Sequence, residues 1–538
     1  MRPSIALLLI LLSSLLPVGS SADSPFSAST FLGGGGDDGY YVASVAFDAE
    51  GNIYVAGDTA SDDFPTTEGA LDTTFNGGKD IFVSKFDPGL TRLLASTYLG
   101  GGGEEFGCGL IIDGDGNVIV AGQTYSTDFP TTEGAFDGSH NGDRDVFVSK
   151  LSGDLTTLLG STYLGGSGGD TAFRSFMALD EEGNIYLTCY TESVNYPVTE
   201  GAFDTTYNNI GDIAVTLLDS NLTRVIASTY VGAERNDWPY AIGYSPSGVY
   251  VTGHTDSTGF PASDNAYDKG YNGGTDVFVC TLDRDLKTLI GATYLGGSGF
   301  DNTCTLLIEP SGDVVVAGHT ASRDFPTTIN AYSEDYNGGD RDIFVSRLSP
   351  DLSSLKRSTL LGGSGSEIQP LLAPLPDGAI ALTGETRSSD FPFTDGLFKG
   401  GESDYALCIF DPPLSELRYS LSVGGSGRDG FGGIASGKGS VVIAGRTTSA
   451  DLGVQETGYD PSHNGGLDVF IIKLPTSAIE GTPQGTGPPS SETQPSTPTP
   501  SGGTGGIPGF PLLSVVIGLM AVSILISFKG KFARHIAT

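Results

Sequence analysis

The chain has 538 residues, of which 80 are glycine, 29 proline and only 17% charged. That composition suits a loop-dense β protein and argues against a helical bundle or a disordered polyelectrolyte. The formal charge of -37 comes less from 64 acidic residues than from a shortage of basic ones, 27 Lys plus Arg, and this excludes nucleic acid, which is bound through a positive stripe.

In chain order, Met1-Arg2, the apolar run from Ile5 to Leu16 and the small residues Ser20-Ser21-Ala22 read as a secretory signal peptide, residues 1–22. The repeats behind it are expected to fold outside the cytoplasm. From 27 to 475 the chain repeats itself. The phrase Ser-Thr-(aromatic or Leu)-(Leu/Val)-Gly recurs near Ser29, Ser96, Ser161, Ser228, Ala292, Ser358 and, more loosely, Ser420, at a spacing of 62 to 67 residues. A period of that length holds four strands with their loops.

Within one repeat, strand a runs near Val42 to Phe47 and turns through Asp48-Ala49-Glu50-Gly51 into strand b at Asn52 to Gly57. A long connection through Asp63-Phe64-Pro65-Thr66-Thr67 leads to strand c at Asp80 to Phe86, and strand d comes next, near Leu94 to Leu99. Strand b carries a glycine at Gly57, Gly122, Gly253, Gly318, Gly384 and Gly445, replaced by Cys189 in the third repeat, with a threonine two residues later in all seven. Strand c opens with Asp80, Asp145, Asp212, Asp276, Asp342, Asp404 and Asp468. These are expected to accept turn N–H groups at the strand entrance.

The strand count predicts an all-β fold, a seven-bladed β-propeller of four-stranded antiparallel blades. The last repeat stops after strand c, and the segment from Ser29 to Gly33 precedes the first strand a. The N-terminal strand is therefore expected to complete the last blade and close the ring, which removes an open edge.

Past the propeller, residues 480–507 are rich in Gly, Pro, Ser and Thr and read as an extended stalk. Phe510 to Phe528 is a run of 19 uncharged residues. As a helix it measures about 28 Å, close to the roughly 30 Å of a hydrocarbon core. With Lys529, Lys531 and Arg534 behind it, the segment 508–538 reads as a transmembrane helix with a basic tail held inside. Five cysteines do not form a disulfide framework and read as small buried fillers. Asn221-Leu222-Thr223, on a c-to-d turn, is a glycosylation candidate at Asn221. Asp113-Gly114-Asp115-Gly116-Asn117 reads as a hairpin turn, and His140 and His463 as exposed loop residues.

Two constellations could carry function. Alternating strand direction puts the d-to-a and b-to-c connections on one face. There each d-to-a loop ends in an acid: Asp38, Glu105, Asp170, Asp237, Asp301, Glu367 and Asp429. Such a ring could attract Ca²⁺ or amine-bearing ligands, or each acid could cap the N–H groups of its own Gly-rich turn. The second is the residue after the strand-b glycine, which varies among constant neighbours: Asp58, Gln123, Tyr190, His254, His319, Glu385 and Arg446. It is either a solvent-facing position free to drift or a ring that reads a ligand.

The phrases Gly-Asn-Ile-Tyr-Val-Ala-Gly-Asp-Thr (51–59), Asp-Phe-Pro-Thr-Thr-Glu-Gly-Ala (63–70) and Ser-Thr-Tyr-Leu-Gly-Gly (96–101) resemble the SBBP family of β-propeller repeats over residues 29–474. Pro508, Gly509 and Phe510, with the apolar span behind them, resemble the PGF-CTERM sorting signal. That resemblance implies an archaeal source and a span open to removal by an archaeosortase, with lipid in its place. The resulting expectation is an extracellular propeller, anchored to the cell membrane by its C-terminus, that binds a surface glycan or protein. The alternatives are a polysaccharide hydrolase or lyase using channel-mouth carboxylates, and a purely structural envelope component. No catalytic motif is present in the sequence to favour an enzyme.

Overall fold

The computed structural model describes residues 26–172, 176–208 and 210–479. The expected signal peptide, stalk, sorting motif and membrane span lie outside the described residues. Among the described residues no helix is long and apolar enough to cross a membrane.

Seven sheets succeed one another along the chain. The first blade is made of strand a, Asp38–Phe47, strand b, Ile53–Thr59, strand c, Asp80–Phe86, and strand d, Leu93–Leu99, all antiparallel. Blades two to six repeat this order, with strand a of the third divided into Asp170–Thr171 and Met177–Leu179, both paired with strand b. The seventh takes strands a to c from Asp429–Gly437, Ser440–Thr447 and Asp468–Pro475, and its strand d is Ala28–Leu32. Thr30 pairs with Ile471 and Phe31 with Phe470, so the start of the propeller completes its last blade as the strand count predicts.

Strand a begins four residues earlier than its apolar run suggests. Asp38 already pairs with Thr59, and a register shift between Asp38 and Ala43 absorbs the extra residues as a bulge. Strand-b glycines are required where strand c places a phenylalanine opposite. A Cβ on Gly122 would lie 2.2 Å from the Gly107 carbonyl oxygen and 2.9 Å from the Phe147 ring, and one on Gly445 would lie 2.5 Å from Phe470. In the third blade Cys189 faces Ala214 instead. The side chain gained on one strand replaces the ring lost on the other.

Seven hydrophobic clusters fill the molecule, each between two adjacent blades. The cluster joining blades seven and one combines Leu32, Val442 and Ile471 with Val55, Phe82 and Tyr98. It matches the cluster between blades one and two, where Tyr54, Ile81 and Val83 meet Val118, Phe147 and Leu151. Each seam is also stitched by a backbone bond from the acid opening strand a to the residue before the strand-c Asp of the preceding blade. Asp38 N–H donates to Leu467 across the closing seam at 2.8 Å, and Glu105 N–H to Lys79 at 3.0 Å.

The long b-to-c connections do not stay on the face where they start. Each descends along its own strand d, where Tyr98 N–H donates to Asp72, and reaches the next blade's c-to-d turn, where Leu71 N–H donates to Leu155. These loops cover the outer strand edges that would otherwise offer unpaired backbone groups. Leu90, Leu155, Leu222, Leu286, Leu352 and Leu414 hold positive φ in the c-to-d turns with fully buried side chains. Cys189, Cys280, Cys304 and Cys408 are buried, in keeping with a filling role.

Candidate functional site

The acids that open strand a are fully buried at the blade seams and hydrogen-bonded. Asp38 accepts from the Thr59 hydroxyl at 2.5 Å, the Ser61 hydroxyl at 2.9 Å and the Gly34 N–H at 2.7 Å. The pattern recurs at Glu105 with Thr124, Ser126 and Gly101. Asp237, Asp301, Glu367 and Asp429 repeat it with the equivalent Thr and Ser and a backbone N–H of their own turns. Asp170 accepts from Ser193 and the Gly166 N–H. The threonines stand out in the sequence as a recurring residue. The serines two positions further on carry the same signal, since Ser61, Ser126, Ser193, Ser257, Ser322, Ser388 and Ser449 recur just as regularly.

The strand-c aspartates meet their expected role through one oxygen. Asp80 Oδ2 accepts the Asn76 N–H at 2.8 Å, and Asp145 Oδ2 accepts the Asn141 N–H at 2.7 Å. In all seven the other oxygen, Oδ1, is buried without a hydrogen-bond partner. Each faces the acid of the next blade. Burial pushes Asp80, Asp212, Asp276 and Asp342 up to about 7, with a smaller contribution from the neighbouring acid, Glu105 for Asp80 and Glu367 for Asp342.

The variable residues of strand b do not face open solvent. Asp58 is buried, accepts the Tyr41 N–H at 2.9 Å and pairs with Lys79 at 3.4 Å. Glu385 lies 3.2 Å from Arg387 and 3.8 Å from Arg428. Tyr190 stacks on Trp238 of the next blade, with centroids 3.7 Å apart and planes 4° from parallel. His254 reaches Asn302 at 3.2 Å and sits among Trp238, Tyr240 and Phe300; burial pushes it down to about 4. His319 Nε2 accepts from Arg341 at 3.0 Å, and Arg446 donates to the Tyr40 carbonyl. Gln123 is half-buried. Tyr190, His254, Glu385 and Arg446 thus reach across seams rather than converge on one point.

The central channel is lined chiefly by strand-a residues, among them Val45, Leu110, Met177, Thr305, Leu371 and Ile434, and encloses about 200 Å³. The seven acids lie off it. His140 and His463 are half-buried rather than exposed, each with a ring nitrogen near a threonine carbonyl, at 3.3 and 3.2 Å. Asp113 holds its hairpin turn by accepting the N–H groups of Asp115 and Asn117. Asn221 is exposed on its turn.

One surface feature lies outside both constellations. Among the described residues, the exposed large aromatic side chains are Tyr40, Tyr41 and Tyr125, at 41, 45 and 41%. They lie together over the seam between blades one and two. Tyr40 and Tyr41 meet edge to face at 4.9 Å, Tyr41 meets Phe106 at 4.9 Å, and Phe106 meets Tyr125 at 6.0 Å. Lys79 stands 4.3 Å from the Tyr40 centroid, and Arg144 donates to the Tyr125 hydroxyl at 3.3 Å. Its signal in the sequence is the pair Tyr40-Tyr41, which occupies the solvent end of a strand.

The family model SBBP, a β-propeller repeat, matches residues 30–65. No curated protein matches the chain. Solved structures resembling it include a protein of unknown function from Dyadobacter fermentans, 11% identical with a TM-score of 0.41, covering 84% of this chain and 98% of that one. The polysaccharide lyase Uly1 is 10% identical with a TM-score of 0.43, over 84% of this chain and 98% of that one. A Mycobacterium tuberculosis puromycin-hydrolyzing peptidase is 12% identical with a TM-score of 0.42, over 85% and 54%.

Proposed function

We propose that this chain is an extracellular propeller, tethered to the cell surface by its C-terminus, that binds a glycan on the seam between blades one and two. The observation that carries the reading is the contiguous set of half-exposed rings at Tyr40, Tyr41 and Tyr125. Exposed aromatic surface with a polar tip suits a ligand that is apolar on one face and hydroxylated at its edge, as a pyranose ring is. Lys79 and Arg144 supply hydrogen-bond donors beside the rings. The extracellular placement and the anchor rest on the leader and the C-terminal span in the sequence.

A degrading role would need carboxylates offered to a substrate. Asp301 and Glu367, like the other acids of that set, are enclosed and already hydrogen-bonded. The test is a glycan and protein array probed with the wild-type protein and with Tyr41→Ala and Tyr125→Ala. Glycan binding should fall about 10-fold or more in each variant with an unchanged melting temperature, as expected for an aromatic hot spot. Capture of protein spots alone, or binding indifferent to both substitutions, would overturn the reading.

A further inference from the structure

The tyrosines between blades one and two are one stretch of a longer arc, which crosses blades seven, one and two through contacts between rings and cations. Arg428 lies 5.8 Å from the Phe431 centroid, and Arg446 lies 4.1 Å from Phe431 and 5.4 Å from Tyr40. Lys79 stands over Tyr40 and is 5.4 Å from Tyr41 and 5.2 Å from Phe106. Beyond Phe106, Tyr125 meets Arg144, whose Nε donates to the Thr171 hydroxyl at 2.6 Å. Phe106 and Arg446 are buried links, and the other members are open in part to solvent. Rings and cations thus follow one another along one path, in a chain with only 27 basic residues.

The blade-seven end carries two further signs of a ligand. Phe431 holds a φ of 41°, where the equivalent residue of blade two is Gly107 at 63°. A left-handed backbone is costly for a bulky side chain, and such strain persists where a site makes use of it. Beside it a groove of about 400 Å³ is lined by Arg428, Glu402, Ser426, Thr448 and Leu467, within the roughly 300 to 1,000 Å³ of small-ligand sites. The acids that pair with the cations lie behind them. Asp58 and Glu385 have wholly buried side chains, whereas Lys79 and Arg428 keep 18 and 33% of theirs exposed. Arg144 is in none of the ion pairs of the described residues.

We propose that the glycan bound here is an acidic polysaccharide, laid along this arc with its carboxylate or sulfate groups at Lys79, Arg144 and Arg428. The inference rests on the reading of the tyrosine surface as a glycan site and adds the charge of the ligand. Guanidinium and ammonium groups hold such oxyanions by charge-assisted hydrogen bonds, whereas a neutral sugar would draw on the rings alone. A path across three blades suits a polymer better than a single sugar. Glu104, exposed next to Tyr41 and bonded through its carbonyl to the Tyr125 N–H, opposes such a ligand and so provides a test of sign.

The experiment measures binding of the full-length protein to immobilised polygalacturonate, dextran sulfate, neutral dextran and poly-glutamate. Physiological ionic strength suppresses diffuse charge effects. Polygalacturonate or dextran sulfate should bind at least 10-fold more tightly than dextran and poly-glutamate. Arg144→Gln and Arg428→Gln should each weaken the acidic glycan about 10-fold, and Glu104→Gln should tighten it. Glu385 keeps Arg387 as a partner when Arg428 is removed, whereas removing Lys79 would strand Asp58. Melting temperature verifies the fold of each variant. Should neither acidic glycan bind, or dextran bind as tightly with a loss in Tyr41→Ala, the proposal fails while the glycan reading survives on its own array. Poly-glutamate bound as tightly as polygalacturonate would mean that charge alone is read, and would also overturn it.

Discussion

At the scale of single residues the propeller depends on hydroxyls that hold buried acids. Ser126 donates to Glu105 while accepting the Gly103 N–H at 2.8 Å. Ser126→Ala strips both and leaves a backbone N–H unsatisfied, so the unfolding free energy measured in urea should fall by about 1 to 3 kcal/mol. His254 gives a pH dependence of definite sign. Its folded pKa of about 4 lies below the ordinary value near 6.5, so the fold favours the neutral ring. That stabilisation is complete above pH 6.5 and drains away as pH falls toward 4. Wild type should therefore lose more melting temperature than His254→Gln between pH 7 and pH 4.5; parallel profiles would remove His254 as a contributor. The sequence exposes the acids, the threonines and the variable positions because each recurs at a fixed offset. It cannot expose what they touch, since Tyr190 meets Trp238 and Asp80 meets Glu105 only once neighbouring blades stand side by side.

At the scale of elements, most of a blade is legible. Short hairpins and the strand-c aspartates mark strands b and c closely, whereas strand a reads short because its bulge interrupts the apolar alternation by which a strand is recognised. Strand direction alone puts the long loops on one face, but their backbone groups go to strand d and to the next blade's turn. A loop must satisfy its polar backbone somewhere, and here the open edge is what it satisfies. The departure at Cys189 is visible, while its compensation at Ala214 lies on another strand. Ala28–Leu32 is the element with the greatest leverage, since its five residues are all buried and lie next to one end of the chain. Deleting residues 27–34 exposes Phe470 and Ile472 and opens the last blade. Thermal unfolding should then shift down by well over the few degrees that a surface deletion causes, with lost cooperativity. An unchanged melting curve would mean that the strand is dispensable.

For the whole molecule, stability comes from seven like interfaces arranged in a circle, and the circle is complete only because two distant parts of the chain share a sheet. The cluster between blades seven and one is as apolar as the other six, so the closing seam is a full interface and not a loose latch. The tyrosine surface spans neighbouring blades and depends on the ring holding those blades in fixed register. The most direct test is hydrogen–deuterium exchange with mass spectrometry on the peptides covering 28–32 and 468–475. If Ala28–Leu32 is the outer strand of the seventh blade, protection in the first peptide should persist as long as in the second and be lost with it only on global unfolding. Exchange of the first peptide within seconds, while the second stays protected, would contradict a ring closed by its N-terminal strand.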